Sequence, residues 1–296
     1  MTAPSGPGGV LVVVATPIGN LGDLSPRSTK ALADADVIAC EDTRRTRQLL
    51  AHEGIPAGGR LVTVNDHTET AQVRALLARL DAGERVALVS DAGMPAVSDP
   101  GERLVAAAAA AGHRVEVVPG PSAALAALVV SGLPTGRFCF EGFLPRKGRA
   151  RAERLAEVAA ERRTTVVFEA PHRVRQAVAD LAEVVDPQRR LVIARELTKA
   201  FEEVWRGTLA AAGAHLAASE PRGEYVLVLD GAAPPPAPEA SDVDQALRLR
   251  LDAGVDRKTA IAEVATELGV PKRQVYQAAL SLAASPPRAG PPSGGP

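Results

Sequence analysis

The stretch VLVVVATPIGNLGD, residues 10 to 23, decides the fold. Val10 to Val14 is an unbroken run of β-branched residues and leucine, the pattern of a strand covered on both faces of a sheet. The chain passes directly from it into a small-residue loop, Ala15 to Asp23, at the strand end where α/β sheets bind ligands. This loop is neither a GxGxxG fingerprint nor a GxxxxGK[ST] phosphate loop, and a tight turn alone would also explain its glycines.

Working outward, similar runs recur at Val86 to Val89, Val115 to Val118, Thr164 to Phe168, Leu191 to Ala194 and Tyr225 to Leu229. Helix-period stretches lie between several of them, at Thr70 to Leu80, Arg103 to Ala111, Ser122 to Val130, Arg149 to Ala160 and Val174 to Val184. This alternation predicts an α/β protein with largely parallel or mixed sheets. Pro119-Gly120-Pro121 makes a domain junction between an α/β domain at 10–118 and a second at 119–230. GAAPPPAPEA, 231–240, reads as an extended Pro/Ala linker. Beyond it, 241–284 is helical: Ile261, Val264, Ala265 and Leu268 share one face before Gly269-Val270-Pro271, and Val275, Ala278, Ala279 and Leu282 share the next. Helix-turn-helix and an ordinary helical hairpin give the same pattern. Residues 1–9 and 285–296 have little to bury and are expected to be disordered.

Composition narrows the function. With 296 residues, 46% hydrophobic and 23% charged, the chain can build a sizeable core, and its length suits about two domains. Lys+Arg 34 against Asp+Glu 35 gives a net charge of -1, so any nucleic-acid contact must come from a local patch. MTAPSGPGG has no basic residue before an apolar run, and no stretch approaches the ~20 apolar residues of a membrane span. Cys40, Cys139 and five scattered histidines make neither a disulfide framework nor a metal cluster. The expectation is a cytoplasmic protein without a metal.

Four segments carry chemistry. In VSDAGMPAVSDPG, 89–101, a strand ends in a loop where Asp91 can accept hydrogen bonds from a ribose or an amino group, while Ser98 or Asp99 would cap the next helix. Glu41, Asp42, Arg44, Arg45 and Arg47 crowd one turn, and Arg146, Lys147, Arg149, Arg151 and Arg154 follow three phenylalanines. Such clusters suit phosphate and base contact, although solvated helix ends look the same. Phe168 to Arg173 puts an acid, an imidazole and an arginine past a strand end, without the spacing of a Ser/His/Asp triad.

In order, ATPIGNLGD (15–23), ADVIACEDTR (35–44), SDAGMPAVSDPG (90–101), PGPSA (119–123), EGFLPRK (141–147), FEAPHR (168–173), RELTKAFEEVWRG (195–207) and GEYVLVL (223–229) resemble one family over nearly the whole chain. It is the ribosomal RNA small subunit methyltransferase I family, within the tetrapyrrole (corrin/porphyrin) methylase superfamily. The chain departs at Met94, Ala96 and Val97, where the family usually reads SDAGTPLISDPG, and at Asn65 to Glu69, where it usually reads NEHNE.

The resemblance implies two α/β domains with S-adenosylmethionine in the cleft between them, a small C-terminal helical domain, a homodimer, and 16S ribosomal RNA, in the small subunit, as partner. By position it puts Pro17, Ser90, Asp91, Met94, Ser122, Ala123, Ala170 and Leu197 at the cofactor. Glu41 or Asp42 would be the base for 2'-O-methylation of a cytidine ribose, and Arg44, Arg45, Arg47, Arg146, Lys147, Arg149 and Arg151 would hold RNA. A precorrin-like tetrapyrrole methylase, or a nucleic-acid-binding regulator with a ligand-sensing α/β part, are the competing readings.

Overall fold

The computed structural model describes residues 8–65, 68–234 and 238–284. The ends expected to be disordered fall outside these residues except for Gly8 and Gly9, and so do Asp66 and His67. The chain divides into two units, residues 1–232 and 233–296.

In the first unit the apolar runs form strands because residues covered on both faces need helices above and below. Strands β1 (Val10–Val14), β2 (Val37–Cys40), β3 (Leu61–Thr63), β4 (Arg85–Leu88) and β5 (Arg114–Val118) lie in the order β3-β2-β4-β1-β5. All pairs are parallel. The crossovers are α1 (Pro26–Ala33), α2 (Thr43–His52), α3 (Glu69–Asp81) and α4 (Glu102–Ala110). Alternation along β1 divides the core: Val12 and Val14 pack with Leu32 of α1 and Leu50 of α2. Leu11 and Val13 pack with Leu76 and Leu80 of α3 and Leu104 of α4.

The second half of this unit starts with α5 (Ala123–Ser131) and continues through β6 (Phe138–Phe143), α6 (Arg149–Ala160), β7 (Thr164–Glu169), α7 (Val174–Val184), β8 (Arg190–Arg195), β9 (Glu203–Thr208), α8 (Leu209–Ala217) and β10 (Tyr225–Leu229). Its sheet is ordered β6-β7-β10-β8-β9. Only β6 and β7 run parallel, so the sheet is mixed. The seven residues between β8 and β9 are too few for a parallel crossover, which needs about a dozen, so these strands form an antiparallel pair. Helix α5 covers one face, and α6, α7 and α8 cover the other.

Four strands are not among the runs read from the pattern: β2, a buried internal strand of only four residues, and β3, β6 and β9, which are edge strands. Half-buried, the three edge strands lack the continuous apolar run of a central strand. Helix α2 is hidden for a related reason, since only Thr46 and Leu50 of TRRTRQLLAH are buried.

One expected cap is corrected. The N-cap of α4 is Gly101, not Ser98 or Asp99, and its φ of 123° suits glycine. The missing acceptor comes from Glu69, whose buried Oε1 receives the N–H groups of Gly101, Arg103 and Leu104 at 3.1, 2.9 and 3.4 Å. A carboxylate there also complements the positive end of the helix dipole.

Among the described residues, the second unit is three helices, α9 (Ala240–Asp252), α10 (Arg257–Glu267) and α11 (Lys272–Ala284). They close on Val243, Leu247, Ala260, Val264, Val275 and Ala279. Glu239 and Asp242 form a capping box on α9, and Asp256 caps α10.

Replacing Glu69 with Ala removes the shared acceptor of α4. Equilibrium denaturant unfolding should show a loss of about 1–2 kcal/mol, and an unchanged midpoint would show that the cap contributes nothing.

Candidate active site

Because the first sheet is parallel, the loops after β1, β2, β4 and β5 all leave its carboxyl edge. In the second sheet, antiparallel pairing sets the start of β10 beside the ends of β7 and β8, with Tyr225 opposite Glu169 and Arg195. The two edges are joined by the first loop. Thr16 N–H donates to the Gly93 carbonyl at 2.9 Å, Gly93 N–H donates to the Thr16 carbonyl at 3.1 Å, and the Thr16 hydroxyl donates to the Ser90 carbonyl at 3.1 Å. Two residues on, Ile18 is buried in the core of the second half, against α5 and the second sheet.

Two adjoining cavities, each of about 270 Å³, open around this joint. One is mainly apolar, and Met94, Ser122, Ala123, Ala170 and Leu197 line it together with Phe168. The other is polar, with Pro17, Ser90, Asp91, Arg45 and Lys199 in its wall. Ile18, Ala92 and Glu224 border both. All eight residues that the resemblance puts at a cofactor line one or other of these cavities, although they span residues 17 to 197.

Three carboxylates at this edge differ in environment. Asp42 caps α2, accepting the Arg44 N–H at 2.8 Å, and the Arg44 guanidinium pairs with it at 2.8 Å. Hydrogen bonds from the Arg44 side chain and then its backbone hold the Asp42 carboxyl down to about 2. A carboxylate so stabilised has little affinity for a proton. Asp91 accepts the Asp42 N–H at 3.1 Å and lies 3.5 Å from the Arg45 guanidinium. Burial pushes its carboxyl up. Glu169, whose side chain is wholly buried, accepts the Ala170 N–H on Oε1 at 2.9 Å, and Arg173 lies 3.3 Å from the same oxygen. Its Oε2 is buried without a partner among the described residues, in the wall of the apolar cavity. Glu41 follows β2 and is half-buried, and neither it nor Asp42 lines the two cavities.

Opposite Asp91, the loop after β8 is held under strain. Glu196 and Thr198 adopt φ of 50° and 67°, left-handed values unusual outside glycine. The Lys199 ammonium bridges the Glu196 and Glu224 carboxylates at 2.9 and 2.8 Å. Its stem lies across Gly19 so closely that a Cβ there would come within 2.3 Å of Lys199 Cγ. Glycine at 19 is thus needed for close approach, and position 199 owes its place to a contact between loops 180 residues apart in the chain. Sequence reasoning does not single out Glu169, Lys199 or Glu224 as site residues, although each lies in a quoted segment, FEAPHR, RELTKAFEEVWRG and GEYVLVL.

The expected basic residues divide. Arg44, Arg45, Arg47, Arg146, Lys147 and Arg149 are exposed, with Arg149 paired to Glu153 on its own helix. Arg151 is corrected: it is buried, donating to Asp180 at 2.6 Å and to the Pro145 carbonyl at 2.8 Å. Those bonds pin α6 to α7 and leave it unable to reach a phosphate. Among the described residues, no cluster of three or more His, Cys, Asp or Glu is placed to hold a metal, and no helix is long and apolar enough to cross a membrane.

Known proteins match both units. Residues 10–213 match the family described as Tetrapyrrole (Corrin/Porphyrin) Methylases, and 237–283 match the RsmI C-terminal HTH domain. Proteins named ribosomal RNA small subunit methyltransferase I are similar over most of the chain. That of Synechocystis sp. is 45% identical, covering 93% of this chain and 99% of its own length. Those of Xylella fastidiosa and Mycobacterium tuberculosis are 53% and 49% identical, covering 76% and 92% of this chain and 82% and 95% of their own. Among solved structures, the cobalt precorrin-4 methyltransferase CbiF shares the fold with a TM-score of 0.58 at 17% identity, over 75% of this chain and 94% of that one. The uroporphyrin-III-C-methyltransferase of Thermus thermophilus shares it with a TM-score of 0.53 at 23% identity, over 75% and 94%. With two α/β halves meeting at one cleft, a separate three-helix unit and relatives of this identity along both, the chain belongs to the ribosomal RNA small subunit methyltransferase I family of tetrapyrrole-methylase-fold proteins.

Proposed function

We propose that this protein transfers the methyl group of S-adenosylmethionine to the 2'-hydroxyl of a cytidine in 16S ribosomal RNA. The observation that carries the reading is the pair of joined cavities, apolar on one side and acidic and basic on the other, between the carboxyl edge of the first sheet and the edge of the second where β7 and β8 end. The cofactor fits the chemistry of this wall. Its ring system suits the apolar cavity, and its amino and hydroxyl donors suit the unpartnered Glu169 Oε2 and the Asp91 carboxylate. Pro17, Ser90, Asp91, Met94, Ser122, Ala123, Ala170 and Leu197 would hold it.

When bound, the cofactor supplies a methyl already activated on a cationic sulfur, so the protein must mainly align a hydroxyl and take up its proton. Glu41, half-buried at the end of β2, is the proton acceptor in this reading. Arg44, Arg45 and Arg47 at the start of α2, with Arg146, Lys147 and Arg149 before α6, would hold RNA phosphates. The separate helical unit favours a macromolecular substrate, 16S RNA within the small ribosomal subunit, over a tetrapyrrole, and a cytoplasmic setting follows from that substrate. A homodimer is supported by exposed apolar side chains on α5 and the edge strand β5, led by Val129 at 73% and Val117 at 53% exposure.

Labelled methyl offered to unmodified small subunits, naked 16S RNA and a tetrapyrrole precursor should give a single ribose-methylated cytidine, mapped by nuclease digestion and mass spectrometry. Tight cofactor binding with no RNA product would sink the substrate assignment. Glu41→Gln should slow turnover ~10²- to 10⁴-fold without changing cofactor affinity, and a wild-type rate would remove Glu41 as the base.

Because burial raises the Asp91 pKa, its charge should be lost at a higher pH than that of an exposed aspartate. Calorimetric cofactor affinity should therefore weaken as pH falls through the mildly acidic range. Asp91→Asn should bind more weakly with a flatter profile, and an unaltered profile would clear Asp91. Val129→Asp should convert a dimer to a monomer by light scattering, whereas a persisting dimer would move the interface elsewhere.

A further inference from the structure

The C-terminal unit carries a groove of about 420 Å³ where the starts of α10 and α11 meet. Its wall holds Arg257, Lys258 and Lys272, its floor is apolar through Ile261 and Ala262, and Tyr276, 52% exposed, stands at its side. Arg273 is exposed next to Lys272.

The charges of this unit are segregated. Arg250 of α9 is taken up by Glu263 and Glu267, towards the far end of α10. Among the described residues, Arg257, Lys258, Lys272 and Arg273 make no ion pair with an acid. Asp256 is the acid beside the groove, and its carboxylate is engaged by the Lys258 and Thr259 N–H groups of the helix it caps, both at 3.1 Å. A chain whose net charge is -1 thus concentrates unpaired cations, with an exposed aromatic ring between them, at one place on a small unit.

Cations without an ion pair, flanking a solvent-exposed ring on an apolar floor, match one polymer chemistry, a phosphate backbone with an unpaired base. A duplex fits less well, because the major groove of A-form RNA is too deep and narrow to admit a helix such as α11.

We propose that this groove is a second RNA-binding site, taking an unpaired strand with Arg257, Lys258, Lys272 and Arg273 on its phosphates and Tyr276 stacked on a base. The proposal rests on the RNA-methylating reading and extends it by giving the C-terminal unit a grip on the substrate separate from the methyl-transfer cleft.

The test uses the full chain and a short labelled single strand of mixed RNA sequence, with a hairpin duplex of the same sequence for comparison. Tyr276→Ala should weaken single-strand binding about tenfold, while Tyr276→Phe, which keeps the ring, restores it. Lys258→Gln with Lys272→Gln should make the dependence of log affinity on log salt shallower by about 1.4, two phosphates at roughly 0.7 each. Cofactor affinity and the unfolding midpoint should not move in any variant. The KM for small subunits should rise more than kcat falls.

Variants that bind the single strand like the parent, with the same salt slope, would overturn the proposal, as would an equal loss on duplex and single strand. A parent protein that methylates no RNA would instead overturn the reading beneath it, so the two failures are distinguishable.

Discussion

Everything at the site depends on the joint made by Thr16, Gly93 and Ile18. The reciprocal amide bonds between Thr16 and Gly93 lock the first loop to the loop after β4, and Ile18 then drives the same loop into the core of the second half. Burying an isoleucine side chain contributes roughly 1.5–3 kcal/mol, which favours the packing of this loop against the second half. Glycine is required at 93 because φ is +82° and a Cβ would sit 3.2 Å from Ile18 Cγ2. Among the described residues, the four non-glycine residues with positive φ, Ala96, Ser98, Glu196 and Thr198, all lie in the two loops facing each other around this joint. Backbone strain of about 1–3 kcal/mol per such residue persists only where the surroundings over-determine it.

The carboxylates show how one edge supports different tasks. Asp42 spends its charge on Arg44 and a helix N-terminus, so it organises α2. Asp91 is less compensated and more buried, so its proton is easier to keep. Glu169 is buried with one oxygen bonded and the other facing the apolar cavity. Leaving a buried polar atom unmet costs about 1–3 kcal/mol, a cost that a donor in the cavity would remove.

Arginine is where composition misleads most. The chain is rich in it, yet several arginines bind the protein's own carbonyls. Buried Arg189 donates to the carbonyls of Ala159 and Glu161, both at 2.8 Å, and to that of Asp230. Arg60 gathers the carbonyls of Leu32, Ala33 and Ala35 behind α1. The guanidinium fork satisfies several orphaned acceptors at once. A cationic cluster in sequence therefore mixes pegs such as Arg151 with free arms such as Arg146, and only the three-dimensional neighbours separate them.

Local pattern was enough for the α/β class, most of the central strands, most of the long helices and the loops that line the cleft. These depend on local periodicity and on small residues following apolar runs, which neighbouring residues encode. The tertiary structure alone decided the edge strands β3, β6 and β9, which share their burial with no full apolar run. It alone decided the capping of α4 by Glu69, over 30 residues away, the burial of Arg151 against Asp180 and the approach of Lys199 to Gly19. Each of these is a contact between segments distant in the chain, and hydrogen bonding and desolvation act through space rather than along the sequence.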